Sequence, residues 1–360
     1  MTKLVGSPRK SLITSMVRIA ALAFGWTAVS AGPAVANEPL VLEAKIPLGN
    51  VSGRIDHMAI DLGRKRLFVA ELGNNSVGIV DLKDRRVMRR IAGLREPQGV
   101  GYDPATDTLY VANAGDGSVR LFEGKNYSPV GRIDLGDDAD NIRIEPATHR
   151  VFVGYGSGAL AEIDAAQRRK TADIALKAHP ESFQLDSGSE RIFVNVPDYQ
   201  AIAVVDRSMR KQIGSWSTLG NGANFPMTID ENTDQVLVVF RSPAKLAAFD
   251  MQKGTLQSSV ATCGDSDDLF VDRKRRRVYV SCGEGHLDVF EARPGAYESI
   301  AHLATIAGAR TSLFVPELDS LALAVRATRQ ERSLGRCPRT GESDPKETCG
   351  ASTPLRWAIS

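Results

Sequence analysis

The chain has 360 residues, 42% of them hydrophobic, and its 45 basic and 43 acidic residues give a formal charge of +2. Setting aside four bases in residues 1–36, and six bases and four acids in residues 327–360, leaves 35 bases against 39 acids in the body. A near-neutral, slightly acidic body is a poor electrostatic footprint for nucleic acid and argues against that class of partner.

Residues 1–36 read as a cleaved Sec-type signal peptide. Lys3, Arg9, Lys10 and Arg18 are basic, no acid precedes Glu38, an apolar stretch runs from Ile19 to about Val29, and Ala34-Val35-Ala36 fits a small-x-small cleavage site. The apolar stretch is short for a membrane span, and no Arg-Arg pair suggests the twin-arginine route. The mature chain is expected to start near Asn37, to carry no stable membrane span, and to work as a monomer in the periplasm or outside the cell.

From residue 37 to 326 one pattern recurs seven times. Its anchors are Asp61, Asp103, Glu145, Asp186, Asp230, Asp272 and the degenerate Pro316, spaced 42, 42, 41, 44, 42 and 44 residues apart. Positions −3 and −1 from each anchor are apolar (Met58/Ile60 through Leu313/Val315), the alternation of a strand with one packed face. A polar turn follows. Then comes a β-branched and aromatic run carrying Phe68, Tyr110, Phe152, Phe193, Leu237, Tyr279 and Leu323 seven residues after the anchors. Gly/Asn/Asp clusters, a third strand often closing on Asp (Asp81, Asp206, Asp250) and a fourth strand complete a unit. A period near 42 residues is one four-stranded propeller blade, so the sequence predicts an all-β, seven-bladed β-propeller with antiparallel blades. The segment Leu40–Ile46 reads as a leftover outermost strand that completes the last blade.

Leu109-Tyr110-Val111-Ala112-Asn113, followed by Gly-Asp-Gly-Ser-Val, resembles the YVTN-type propeller repeat. Residues from about 40 to 326 resemble the YncE-like family of exported bacterial seven-bladed propellers, whereas WD40 signatures are absent. The resemblance implies the fold and an exported location. It names no single chemistry, and single-stranded DNA binding enters through this resemblance alone.

Two further features bear on the ends of the repeat. Cys263 and Cys282 flank the first hairpin of the sixth unit, whose turn centres near Lys274–Arg275. Mirror pairing about that centre brings them close, so a disulfide is expected in an oxidising compartment, with two free thiols as the alternative. After Arg326 the alternation is lost, and residues 327–360 become rich in Arg, Pro, Gly, Thr and Ser. This stretch reads as a disordered, aberrant tail, either divergent or produced by a frameshift near Thr328, which leaves the seventh blade without its third strand.

In a propeller the first strand of each blade lines the central channel, and one end of that channel usually carries the site. Five residues before the anchors stand Asp56, Gln98, Asp140, Glu181, Phe225, Asp267 and Thr311; one later come His57, Gly99, Asn141, Ser182, Pro226, Asp268 and Ser312. His179, Asn224, Asp265 and Arg310 flank this ring, and Arg241 and Arg326 follow second strands. Three readings are open. In the first the polar ring holds only water; in the second Asp56, Asp140, Glu181 and Asp267 bind one divalent cation, with His57 or His179 admitting a transition metal; in the third a small organic ligand pairs an anionic group with Arg310, Arg241 or Arg326. No nucleophile elbow, His-Glu-x-x-His, phosphate loop or haem motif occurs. The reading is therefore a binding or scaffold protein for an exported protein or small ligand. The enzyme alternative is a metal-dependent lactonase-like hydrolase using Asp56 and His57, though neighbours on a regular strand point to opposite faces.

Overall fold

The computed structural model describes residues 39–326 and the strand Pro354–Ile359. These residues form seven four-stranded antiparallel sheets, each drawn from consecutive strands except the last. Blade one, for example, comprises Met58–Asp61, Arg66–Glu71, Ser76–Asp81 and Arg86–Ala92. The first strands of successive blades lie side by side, and Met58–Asp61 meets Ser312–Val315 of blade seven, which closes the ring.

The anchor residue has a local structural job. Its carboxylate accepts hydrogen bonds from the backbone of the turn it precedes: Arg64 to Asp61 (3.0 Å), Gly188 to Asp186 (2.9 Å), Asn232 to Asp230 (3.0 Å) and Arg275 to Asp272 (3.1 Å). Turn donors would otherwise stay unpaired, and short acidic side chains are suited to catching them. Asp81, Asp164, Asp206 and Asp250 repeat the device between third and fourth strands. Pro316 departs from the pattern by opening a short 3-10 turn, Pro316–Leu318, instead.

The recurrent aromatic or leucine at the centre of each second strand is the main packing element. Phe68, Tyr110, Phe152, Phe193, Leu237 and Tyr279 are all fully buried or nearly so. Each packs into a cluster shared with the following blade, as Tyr110 does with Ile142, Val151 and Val153 of blade three. Burying such side chains contributes roughly 1.5–3 kcal/mol each, so the hydrophobic core is distributed between blades rather than gathered at the centre.

Blade seven corrects the sequence reading. Pro354–Ile359 occupies its third position, pairing with Ser320–Ala324 on one side (Ala322 opposite Trp357) and with Val41–Pro47 on the other (Ile46 opposite Leu355). The N-terminal strand is outermost, as expected. Without the inserted strand, two facing rows of backbone donors and acceptors would stay unpaired. The alternation Leu355, Trp357, Ile359 is a strand pattern within a tail otherwise lacking one. The propeller thus draws on chain beyond the expected 37–326 boundary. The signal peptide, the frameshift and the rest of the tail lie outside the described residues. Among the described residues no helix is long and apolar enough to cross a membrane.

Candidate functional site

One end of the channel is built by a recurring irregularity. In blade one, the Asp56 N–H donates to the Ala70 carbonyl while the Ala70 N–H donates to the His57 carbonyl, so two residues oppose one. Glu181 and Ser182 stand in the same relation to Asn195. Register shifts place similar irregularities between Pro97 and Val100, Ala139 and Ile142, Asn224 and Met227, and Ser266 and Asp268. A β-bulge re-aims consecutive side chains, so adjacency no longer forces opposite faces. The objection to Asp56 and His57 acting together is thereby overturned: His57 Nε2 lies 3.5 Å from Asp56 Oδ1 and 3.7 Å from Asp140 Oδ1. Gly99 makes room for this arrangement, since a Cβ there would sit 2.0 Å from the Asp140 carbonyl oxygen.

The loops that lead into the first strands are tied to the loops after the second strands. Gly73, Gly115, Gly156 and Gly283 donate to the carbonyls of Arg54, Arg95, Asp138 and Asp265. His179 joins this layer, its Nδ1 donating to the Gly156 carbonyl at 2.6 Å.

Charges interleave across the mouth. Arg54 pairs with Asp56 (2.6 Å), Arg241 with Asp267 (2.5 Å), and Arg310 with both Asp265 (2.6 Å) and Asp267 (3.1 Å). Arg241 also lies over the Phe225 ring, 4.1 Å from its centroid. Asp268 accepts the Ser312 N–H at 2.6 Å. Burial lowers Arg54, but the pull of Asp56, Asp267, Asp140 and Glu181 outweighs it and leaves its pKa raised. That single response shows how many carboxylates share one space.

The carboxylates themselves are perturbed. Burial pushes Asp140 up to about 7, with Asp56 and Glu181 adding to the shift and His57 and His179 opposing it. Glu181 also rises to about 7, through burial first and then Asp267 and Asp56, against Arg241 and Arg54. Asp267 and Asp268 are raised too, burial again leading.

A cavity of about 330 Å3 continues down the channel from this ring, lined by His57, Arg143, Ser182, Gln184, Asp268 and Ser312 over an apolar layer that includes Met58 and Met227. Arg143 and Arg54 are the site residues the sequence reading missed. Arg143 donates to the Ile142 carbonyl (2.8 Å) and Asn141 Oδ1 (3.2 Å), and burial lowers its pKa against the pull of Asp268 and Asp140. Its position, two residues before the anchor Glu145, shares a channel-facing register with Gln184 and Thr228.

One expected residue lies elsewhere. Asn224 is fully buried and binds Asn195 Oδ1 and the Ala201 carbonyl of blade four, so it joins blades rather than facing the channel. Arg326 lies at the mouth, lining a pocket with Arg54, Asp265 and Arg310. Cys263 and Cys282 form a disulfide, with their Cα atoms 5.8 Å apart.

The four carboxylates considered for a cation are not gathered as ligands. Among the described residues no group of three or more His, Cys, Asp or Glu side chains is arranged to hold a metal ion. Guanidinium groups of Arg54, Arg241 and Arg310 stand between them instead.

Among solved structures, the chain is similar to one of Kuenenia stuttgartiensis hydrazine synthase, with a TM-score of 0.68 and 14% identity over 78% of this chain and 94% of that one. It is also similar to a chain of a mitotic checkpoint complex, with a TM-score of 0.69 and 13% identity over 86% and 96% of the two chains. The chain is a β-propeller. At these identities the likeness extends to fold alone. No family model matches the sequence, and no curated protein matches it.

Proposed function

We propose that this propeller is an exported binding module of the YncE-like, YVTN-repeat kind, with its ligand or protein partner seated at the channel mouth. The observation that carries the reading is the convergence of charged, bulge-presented side chains on an open cavity of about 330 Å3. Concave sites with a few converging polar groups over an apolar floor are what small-ligand recognition requires. The basic, apolar N-terminal pattern and the Cys263–Cys282 bridge support export, since disulfides persist in oxidising compartments. The metal-dependent hydrolase alternative needs a ligand set that the described residues do not form.

A thermal-shift screen of the mature chain, residues 37–360, against small organic acids, amines, sugars and divalent cations tests the reading, because binding to the native state raises its melting temperature. Residues 354–359 must be kept, since they complete blade seven. A hit whose shift disappears in Asp267→Asn or Arg143→Ala supports the mouth as the binding face. Hits that are indifferent to every mouth substitution would overturn it.

A further inference from the structure

We propose that the channel mouth recognises a primary ammonium group, hydrogen-bonded to Asp140 beside the Glu181 and Asp56 carboxylates; this rests on the mouth being the binding face. Asp140 carries an unmatched acceptor. The Asp140 side chain is only 7% exposed, and its Oδ1 has no hydrogen-bond partner among the described residues. That oxygen points into the acidic cluster, toward His57. A buried carboxylate oxygen without a donor carries a desolvation cost that a ligand donor would remove.

The arginines of the mouth do not meet this need. Arg54, Arg241 and Arg310 pair with Asp56, Asp265 and Asp267, whereas neither Asp140 nor Glu181 forms an ion pair with an Arg or Lys among the described residues. Arg143 spends its donors on Asn141, Ile142 and Ser182. Asp140 and Glu181, like Asp268, thus stand without an Arg or Lys ion pair among the described residues, and Asp140 alone of the three leaves a buried side-chain oxygen with no hydrogen-bond partner. An ammonium group is compact, positively charged and carries three donors, which suits a cluster of carboxylate oxygens better than a planar guanidinium. The charged groups facing Asp140 are Asp56, Glu181, His57 and His179, with Arg54 and Arg143 also within its electrostatic reach. Those facing Glu181 are Asp267, Asp56, Asp140, Arg241 and Arg54.

An ammonium ligand favours the ionised carboxylates. Below about pH 7 both Asp140 and Glu181 take up protons, so affinity should fall on acidification. Simple amines, diamines and α-amino acids share the ammonium group, and the assay separates them.

Calorimetric titrations of the mature chain at about pH 8 would use propylamine, putrescine and glycine, with propanol as the neutral control. The expected result is binding by at least one amine and none by propanol. Asp140→Asn and Glu181→Gln should each weaken it about tenfold or more, the scale of a lost charge-assisted hydrogen bond. Lys274→Ala, at the opposite end of the channel, should leave affinity unchanged. Circular dichroism confirms that each variant is folded. Absence of amine binding, equal binding of propanol, or full affinity in both carboxylate variants would overturn the proposal. A carboxylate or sugar that binds and is lost in Arg310→Ala, without any amine binding, would sink the ammonium assignment and leave the channel-mouth reading standing.

Discussion

Replacing Asp140 by Asn should stabilise this protein at alkaline pH, although it alters a buried residue at the candidate site. The native carboxyl is raised to about 7 by burial and by Asp56 and Glu181, while an unfolded-chain Asp titrates near 3.9. The native state therefore holds a proton more tightly than the unfolded chain. The sign follows: stability is highest below the unfolded value, declines as pH rises toward about 7, and stays low above it. A shift of about 3 units corresponds to about 4 kcal/mol of native-state destabilisation above pH 7, an upper bound for what Asn could recover. The amide brings its own unpaired donors, and the neighbouring carboxylates relax, so a net gain of about 2 kcal/mol is expected. For a domain of this size that is about 3 °C in Tm. At about pH 5 most of the advantage should vanish, because wild-type Asp140 is by then protonated. Differential scanning calorimetry of both proteins at the two pH values measures this. A variant less stable at both, or a gap independent of pH, would refute the electrostatic account of the mouth.

Two other outcomes follow from the fold. Reducing the Cys263–Cys282 bridge, which closes a separation of 19 residues, should cost about 3 kcal/mol and lower Tm, whereas a Cys263→Ala/Cys282→Ala variant should be insensitive to reductant. Equal melting with and without reductant in the wild type would contradict the bridge. Ending the chain at Arg326 removes Pro354–Ile359 and exposes the edges of Ser320–Ala324 and Val41–Pro47. The shortened protein should melt earlier and self-associate in light scattering; an unchanged Tm would mean that the inserted strand contributes nothing.

The repeat made most of the architecture legible, because one hydrogen-bonded turn and one buried aromatic recur in nearly every blade. Asp186 and Phe193 show why: the first satisfies turn donors and the second fills an interblade cluster, and neither task depends on distant sequence. The ring was legible as a register but not as a geometry. Asp56 and His57 look like neighbours on opposite faces until the bulge against Ala70 is seen, and nothing in their identities announces a bulge. Asn224 fits the polar ring by position, yet its amide is spent on Asn195 and Ala201. Arg143 was within reach, since it shares channel-facing alternation with His57 two positions earlier in the repeat frame. The strand Pro354–Ile359 was hidden for a different reason. It lies outside the 42-residue spacing, and only the unpaired edges of blade seven explain its place.

Binding is assigned to the bulge-lined mouth and not to any other face of the propeller. The most direct measurement is a calorimetric titration of the mature chain with the strongest thermal-shift ligand, repeated on a mouth variant, Asp267→Asn, and on Lys274→Ala beside the cavity at the opposite end. Asp267→Asn should weaken binding about tenfold or more, while Lys274→Ala should bind as wild type does. Unchanged affinity in the mouth variant together with loss in Lys274→Ala would contradict it.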